Sequence, residues 1–211
     1  MNAATTAGLA VAVAAMVSAP LAWWLSRGGH RVEGDVGRVP LASSWWTVPI
    51  SGVLAGVAGW WLPAPVLVPV VVAIVAGVLV SWVDIDVQRI PNRILLVWAP
   101  AQLLVLVWAV WQAGDLGRML PVLYGTAVFG GLFLLLATVG TMGMGDVKLA
   151  CICGGLLGFI GWPTTVLWGI FLSAVFGGIG GLVVRRVQGP GTFMAYGPAI
   201  VAGTLVAVAF S

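Results

Sequence analysis

Long apolar runs, separated by short breaks that contain polar residues, glycine or proline, follow one another along the whole chain. A run of about 18 or more apolar residues crosses roughly 30 Å of hydrocarbon as an α-helix, and the runs leave no room for a sizeable soluble domain. We therefore predict an all-α fold, a single polytopic membrane bundle of about eight transmembrane helices. The predicted helices cover residues 3–25, 47–63, 66–86, 94–113, 119–141, 147–161, 164–184 and 194–211, with ends defined to about four residues.

The first apolar run, residues 3–25, is predicted to be a retained span rather than a removed signal peptide. No basic stretch precedes it, and no clear small-residue cleavage site leads into a soluble mature chain.

The composition agrees with a membrane protein and excludes several classes of function. Hydrophobic residues make up 61% of the chain, charged residues make up 7%, and the mean hydropathy is +1.13, far outside the range of soluble domains. The net charge of +3 is too small and too scattered to indicate nucleic-acid binding. Cys151 and Cys153 form C-x-C inside an apolar run and build neither a disulfide framework nor a zinc tetrad, so we predict no metal or other cofactor.

The basic residues orient the predicted helices. Alternate connections share a side of the membrane, so 26–46, 87–93, 142–146 and 185–193 lie on one side, and 64–65, 114–118 and 162–163 lie on the other. The first side holds eight of the nine Lys and Arg residues, which are Arg27, Arg31, Arg38, Arg89, Arg93, Arg185 and Arg186, with Lys148 at its edge; the second side holds only Arg118. Since connections rich in Lys and Arg stay in the cytoplasm, the first side is predicted to be cytoplasmic and both chain ends to be outside.

The six acidic residues carry most of the functional information. Glu33 and Asp35 share the longest polar stretch with His30, and a solvated loop is the expected explanation for all three. Asp115 lies in a short turn on the opposite side, where a solvated aspartate is expected. Three aspartates instead adjoin or end an apolar span on the predicted cytoplasmic side, and these are Asp84, Asp86 and Asp146. Ionisable groups at such depths are costly, so each is a functional candidate; the alternative is a charge at a helix end.

Asp84 and Asp146 are the candidates for an aspartic dyad. Asp146 ends "GMGD" at the start of the sixth predicted helix, where the helix dipole favours a carboxylate, whereas Asp84 lies near the end of the third among apolar neighbours. Gly143 and Gly145 are expected to let the backbone turn tightly and a substrate strand approach. We hypothesise that Asp146 is the ionised base and Asp84 the protonated acid in water-mediated amide hydrolysis. The single histidine, His30, has no serine or cysteine partner for nucleophilic catalysis.

Two motifs in this order resemble the type IV prepilin peptidases, which belong to the GxGD class of membrane aspartic proteases. They are "DIDVQRIPN" at 84–92 and "GMGDVK" at 143–148, and "TFMAYGPAIVAG" at 192–203 is similar to the Gly-Pro segment that begins the family's last helix. In the family the first catalytic aspartate lies seven residues before the proline of the I-P pair. The resemblance therefore implies that Asp84, rather than Asp86, is catalytic together with Asp146. The supporting motif residues are Pro91, Asn92, Gly143, Gly145 and Lys148.

The resemblance implies an enzyme in the cell membrane with its active site facing the cytoplasm. Its substrate would be a prepilin or pseudopilin, from which it cleaves a short basic leader just before a single hydrophobic N-terminal helix. Substrate helices of this kind can pack laterally against a glycine-rich bundle in the lipid bilayer. Lys148 is expected either to tune the dyad or contact the substrate backbone, or to extend to the membrane interface without a site role.

The resemblance covers about residues 66–211, the predicted peptidase core, and the chain departs from the family in residues 1–65. Many bacterial members carry a cytoplasmic loop with two C-x-x-C pairs and also N-methylate the new terminus with S-adenosylmethionine. Here the loop at 26–46 contains no cysteine, so the zinc-type module is absent and methyltransferase activity stays open. Asp86 stands where many members with I-P-N have a basic residue.

Two rival functions remain open from the sequence. Carboxylates in membrane helices beside glycine-rich breaks also describe proton- or ion-coupled transporters, which would use Asp84 and Asp146. The chain could also be a catalytically inactive scaffold for pilus assembly. A peptidase predicts a neighbouring gene for a small protein with a basic leader, a glycine and one apolar helix, whereas a transporter predicts none.

Overall fold

The structure is a computed structural model that describes residues 2–140, 142–189, 192 and 194–211. Within these ranges the secondary structure is entirely helical, with eight α-helices and two short 3₁₀ helices, at Leu41–Trp46 and Leu116–Arg118. This confirms the all-α prediction. The α-helices are α1 (Ala3–Ser26), α2 (Thr47–Trp61), α3 (Ala64–Val87), α4 (Asn92–Gln112), α5 (Met119–Thr138), α6 (Met144–Gly161), α7 (Thr164–Gln188) and α8 (Gly197–Ala209).

Helix length decides which elements are able to cross a bilayer. Among the described residues, seven helical segments are long and apolar enough, if the 3₁₀ helix before α2 is counted with it. The eighth, α8, has 13 residues and is about 20 Å long, less than the hydrocarbon thickness. The predicted eighth helix, 194–211, is therefore longer than the observed one. The predicted end of the fifth helix falls on Thr141, which lies outside the described residues, as do Pro190, Gly191 and Phe193 of the last connection.

Helix α3 ends and helix α4 begins close to the positions that the sequence predicts, and the residues between them explain why. Gln88 adopts the left-handed conformation (φ 50°, ψ 37°), and its N–H donates to the Asp84 carbonyl at 2.8 Å. Pro91 then precedes the first residue of α4, where a helix has unpaired N–H groups and the missing proline donor costs nothing.

Glycines allow α5 and α6 to pack with their backbones almost in contact. A Cβ atom on Gly125 would overlap the carbonyl oxygen of Gly154, and a Cβ atom on Gly158 would overlap that of Pro121. Between membrane helices, such close approach gains van der Waals contact that larger residues would prevent. The hairpin formed by α5 and α6 is therefore specified by its glycines.

Helix α3 lies at the centre of the bundle and contacts α1, α2, α4, α6 and α8. A polar clamp joins α3 to α4: Gln102 donates through Nε2 to the Pro69 carbonyl at 3.1 Å and accepts from Trp98 Nε1 at 3.2 Å. Both side chains are buried, and a buried amide is stable in a membrane helix only when it is hydrogen-bonded. The clamp therefore fixes α4 against the helix that carries Asp84.

The connections that follow α1, α3, α5 and α7 meet at one end of the bundle. The Arg38 N–H donates to the Asp86 carbonyl, which brings the first of these connections to the end of α3. Contacts among the starts of α4, α6 and α8 and the end of α3 complete this arrangement, as described below. The alternation predicted from the sequence thus holds for the relative placement of these four connections. The division of the chain at residue 65 stays a prediction.

Candidate active site

Asp84 lies one turn before the end of α3 and is 3% exposed. Its Oδ2 accepts a hydrogen bond from the Gly197 N–H, the first residue of α8, at 2.8 Å. A Cβ atom on Gly197 would lie 2.8 Å from the same oxygen, so only glycine allows the amide to come this close. Among the described residues no group donates to Oδ1.

Asp146 is the third residue of α6 and is partly exposed. Its Oδ2 accepts from the Gly143 N–H at 3.2 Å, which pairs one of the orphan donors at the helix start. The helix dipole also favours negative charge at this position. Gly143 itself is extended (φ −84°, ψ 152°), a conformation open to any residue, so a tight turn does not explain this glycine. Its exposure agrees with the predicted approach of a substrate strand.

Two direct contacts join the predicted motifs to each other. A Cβ atom on Gly145 would lie 3.0 Å from the Cβ atom of Ile90, so the glycine lets the start of α6 press against the segment before α4. Lys148 Nζ donates to Asn92 Oδ1 at 2.7 Å, which links the first turns of α4 and α6. Pro91 lies between Ile90 and Asn92 and is partly exposed. The structure therefore brings the segment 90–92 against the start of α6, and gives Lys148 a partner.

The two candidate carboxyl groups share one electrostatic environment. Asp84 and Asp146 lie on α3 and α6, which contact each other, and the charge of Asp146 acts on Asp84 and on Tyr196. Burial, together with the charge of Asp146, raises the pKa of the Tyr196 hydroxyl. Two carboxyl groups in such a setting can divide the roles of general acid and general base.

Asp86, two residues beyond Asp84, is fully buried and belongs to a different cluster. Its Oδ2 contacts His30 Nε2 at 2.7 Å and Arg31 Nε at 2.9 Å. Its Oδ1 accepts from the Arg31 guanidinium at 2.9 Å and from the N–H groups of Arg38 and Val39 at 2.9 and 3.0 Å. The hydrogen bonds to Asp86 raise the pKa of Arg31. Asp86 thus anchors the connection between α1 and α2, and none of these contacts reaches the dyad.

The prediction that a solvated loop accounts for His30 is wrong. The ring of His30 is 0% exposed and lies edge-on to Trp82 at a centroid distance of 5.1 Å. Glu33 is exposed, as expected, whereas Asp35 is partly buried and pairs with Arg89. The Val32 N–H and, after it, Arg89 hold the pKa of Asp35 below its usual range. The sequence missed these pairs because their members lie more than 50 positions apart.

Among the described residues no three His, Cys, Asp or Glu side chains are placed to hold a metal ion. Cys151 and Cys153 are partly and fully buried within α6 and unpaired.

A model of the type IV leader peptidase family matches residues 71–178, just over half of the chain. The chain belongs to this family. The matched range contains both aspartates of the family's motifs and the glycines and lysine around Asp146. The predicted resemblance is therefore confirmed at the level of the family.

One family relative can be compared directly. The chain is 32% identical over 147 residues to the prepilin leader peptidase/N-methyltransferase of Bacillus subtilis (strain 168). The alignment covers 67% of this chain, and the chain spans 55% of the length of that relative. No solved structure matches the chain.

Gly197 and Tyr196 are parts of the site that were not predicted as site residues. The only signal for them is the Gly-Pro pair in the segment 192–203, which marks a helix start. Phe193 of this segment lies outside the described residues. That the start of α8 reaches the end of α3 is a long-range contact, 113 positions apart, and no local pattern reveals it.

Proposed function

We propose that this chain is a membrane aspartic endopeptidase that removes the short basic leader of a prepilin or pseudopilin. The observation that carries the proposal is the pair Asp84 and Asp146, two carboxyl groups that the contacting helices α3 and α6 place at one end of the bundle. Membership of the type IV leader peptidase family and the printed activity of the Bacillus relative support the same reaction.

Asp146 is proposed as the base and Asp84 as the acid. The Asp146 carboxylate takes a proton from water while the water oxygen attacks the scissile carbonyl carbon, and Asp84 gives its proton to the carbonyl oxygen. The protonated Asp146 then passes its proton to the amide nitrogen as the C–N bond breaks, and Asp84 recovers a proton from a hydroxyl of the diol intermediate. Since Oδ2 of Asp84 accepts the Gly197 N–H, its proton would lie on Oδ1.

The burial of the two groups supports this division of roles. Asp84 is almost completely enclosed and has one N–H partner, and an enclosed carboxyl is less costly when neutral than when charged. Asp146 is partly exposed at a helix start, where a carboxylate is favoured.

The proposed location is the cell membrane, with the dyad facing the cytoplasm. Both aspartates lie near helix ends, which fits a scissile bond at the membrane boundary just before the substrate's apolar helix. The proposal is limited to peptidase activity, because the connection between α1 and α2 contains no cysteine and the chain spans only part of the Bacillus relative.

The geometry offers less support for an ion-coupled transporter. All six acidic residues lie in described parts of the chain, and each is in a connection or within four residues of a helix end. The buried amide of Gln102, near the middle of α4, is hydrogen-bonded to Pro69 and Trp98. A pathway across the bilayer would need ionisable or hydrated groups at mid-depth.

Co-expression with a tagged candidate prepilin tests the proposal. Asp84→Asn and Asp146→Asn should each abolish the loss of the leader, followed as a gel shift, because asparagine keeps the shape and removes the titrating proton. The matched control is Asp115→Asn, an exposed aspartate at the opposite end of the bundle, which should cleave like wild type.

The pH dependence of cleavage gives an independent check. A coupled dyad requires one protonated and one ionised carboxyl, so the rate should pass through a maximum and fall on both sides. Cleavage by both dyad variants, or a flat rate from about pH 4 to pH 8, would rule out the aspartic mechanism.

A further inference from the structure

Tyr196 precedes the glycine that binds Asp84 and is held in place by α7. Its hydroxyl donates to the Ser173 carbonyl at 3.1 Å, and its ring lies 5.8 Å from the Phe133 ring, centroid to centroid. A Cβ atom on Gly177 would overlap both the ring and the hydroxyl of Tyr196. The side chain therefore occupies a notch in α7 that exists only because residue 177 is glycine.

The neighbouring residue Met194 is held in a similar way. A Cβ atom on Gly180 would lie 2.5 Å from its Cε and 2.9 Å from its Sδ. The glycine cluster "GGIGG" at 177–181 thus receives two side chains of the segment that leads into α8. The contacts of this cluster therefore include a non-helical segment.

The packing of Tyr196 against α7 affects the hydrogen bond between the Gly197 N–H and Asp84. Residues 194–196 lie outside α8, and the Tyr196 carbonyl accepts from the N–H groups of Ala199 and Ile200 in its first turn. The next N–H, that of Gly197, must point at Asp84 Oδ2. An amide one residue away from an anchored aromatic ring has little freedom to rotate. The hydrogen bond in turn selects which oxygen of Asp84 remains available.

We propose that Tyr196, seated in the notch at Gly177, is a positioning residue that holds the Gly197 N–H on Asp84 and so orients this carboxyl for the reaction. The inference concerns the same site and rests on the proposed function for its effect on catalysis. The structural part of the inference, that Tyr196 immobilises the Gly197 N–H, does not depend on any substrate.

Gly177→Ala tests the proposal, with Gly178→Ala as the matched control. The two residues are adjacent on α7, and a Cβ atom on Gly178 meets nothing within 4 Å. Gly177→Ala should lower kcat for leader cleavage at least tenfold and change KM less than threefold, because the orientation of Asp84 affects the reaction more than binding. Gly178→Ala should behave like wild type in both constants.

A second readout needs no substrate. Hydrogen exchange of a peptide covering residues 194–200 should become faster in Gly177→Ala and stay slow in Gly178→Ala, because the Gly197 N–H loses its partner. Pro198 has no amide hydrogen, so few amides contribute to this signal. If Gly177→Ala does not accumulate in membranes, Tyr196→Ala carries the same two expectations.

A double-mutant cycle separates positioning from a general loss of stability. In a Tyr196→Ala background, Gly177→Ala should cost nothing further, since the ring that the new methyl would displace is gone. Additive losses, or unchanged exchange at 194–200 in Gly177→Ala, would overturn the inference. If wild type cleaves no candidate prepilin, the proposed function fails while the exchange experiment still decides the role of Tyr196.

Discussion

Two aspartates separated by a single residue on α3 have opposite chemical settings. Among the described residues Asp84 has one donor, the N–H at the start of α8, whereas Asp86 faces the first connection with both oxygens occupied. A carboxylate with every lone pair engaged by donors is a structural anchor, and one with a free oxygen near a second carboxyl group is a candidate for catalysis.

Asp86→Asn should destabilise the protein without abolishing leader cleavage. The new amide NH₂ would face donors, Arg31 Nε among them, and the loss of charge-assisted hydrogen bonds costs about 1.5–3 kcal/mol. Asp86→Ala should cost more, about 3–5 kcal/mol, since it leaves Arg31 without its buried partner. Thermal unfolding in detergent, followed by tryptophan fluorescence, reports directly because Trp24 and Trp82 flank His30.

Glu33→Gln is the control for this cluster, because Glu33 lies in the same connection and is exposed. It should unfold at the wild-type temperature. Complete loss of cleavage in a folded Asp86→Asn protein would mean that Asp86 takes part in the reaction, contrary to its contacts.

At the residue scale, the sequence indicates which charged residues are candidates for a site, but not the distant residues that surround them. Asp84 and Asp146 stand out because ionisable residues are rare beside apolar runs. Lys148 stands out only through the motif that follows Asp146. The sequence predicts that His30 lies in a solvated loop, because residues with polar neighbours in sequence are usually exposed to solvent. Its burial depends on Asp86, 56 positions away, together with two tryptophans.

The helices are predictable from the sequence because each apolar run ends at residues that interrupt a helix. Proline and glycine stand at most boundaries, and the ends of α3, α4 and α6 agree with the predicted ones within three residues. The seventh helix agrees less well, since α7 continues to Gln188, beyond its predicted end at residue 184. Arg185 and Arg186 look like the start of a loop in sequence, yet basic side chains are favourable in the last turn of a helix.

The glycine contact between α5 and α6 gives a prediction at the scale of elements. Gly158→Ala should lower the unfolding temperature in detergent, because its methyl would overlap the Pro121 carbonyl and push the helices apart; overpacking of this kind costs about 1–3 kcal/mol. Gly131→Ala on α5 is the control, since a Cβ atom there meets nothing within 4 Å. It should leave stability unchanged or slightly raised, as alanine favours helix over glycine. Equal losses in the two variants would show that glycine flexibility, rather than close packing, matters.

At the scale of the whole molecule, the candidate site and the polar clusters near it lie at one end of the bundle. The dyad, the Asp86 cluster and the contact between Lys148 and Asn92 all lie where the connections after α1, α3, α5 and α7 meet. The connection between α4 and α5, with Arg118 and Asp115, lies at the other end. The structure fixes these ends relative to each other, and the charge distribution predicts which of them faces the cytoplasm.

Single cysteines at the two ends test that orientation. Glu33→Cys and Asp115→Cys replace exposed side chains in connections at opposite ends of the bundle. A membrane-impermeant maleimide added outside intact cells should label Cys at position 115 and not at position 33, and inverted vesicles should give the reverse.

The unsubstituted protein measures the background from Cys151 and Cys153, which lie within α6 and should react little. Labelling of both positions from one side would contradict the alternation of spans. A reversed pattern would place the dyad outside the cell, where a leader that stays in the cytoplasm could not reach it.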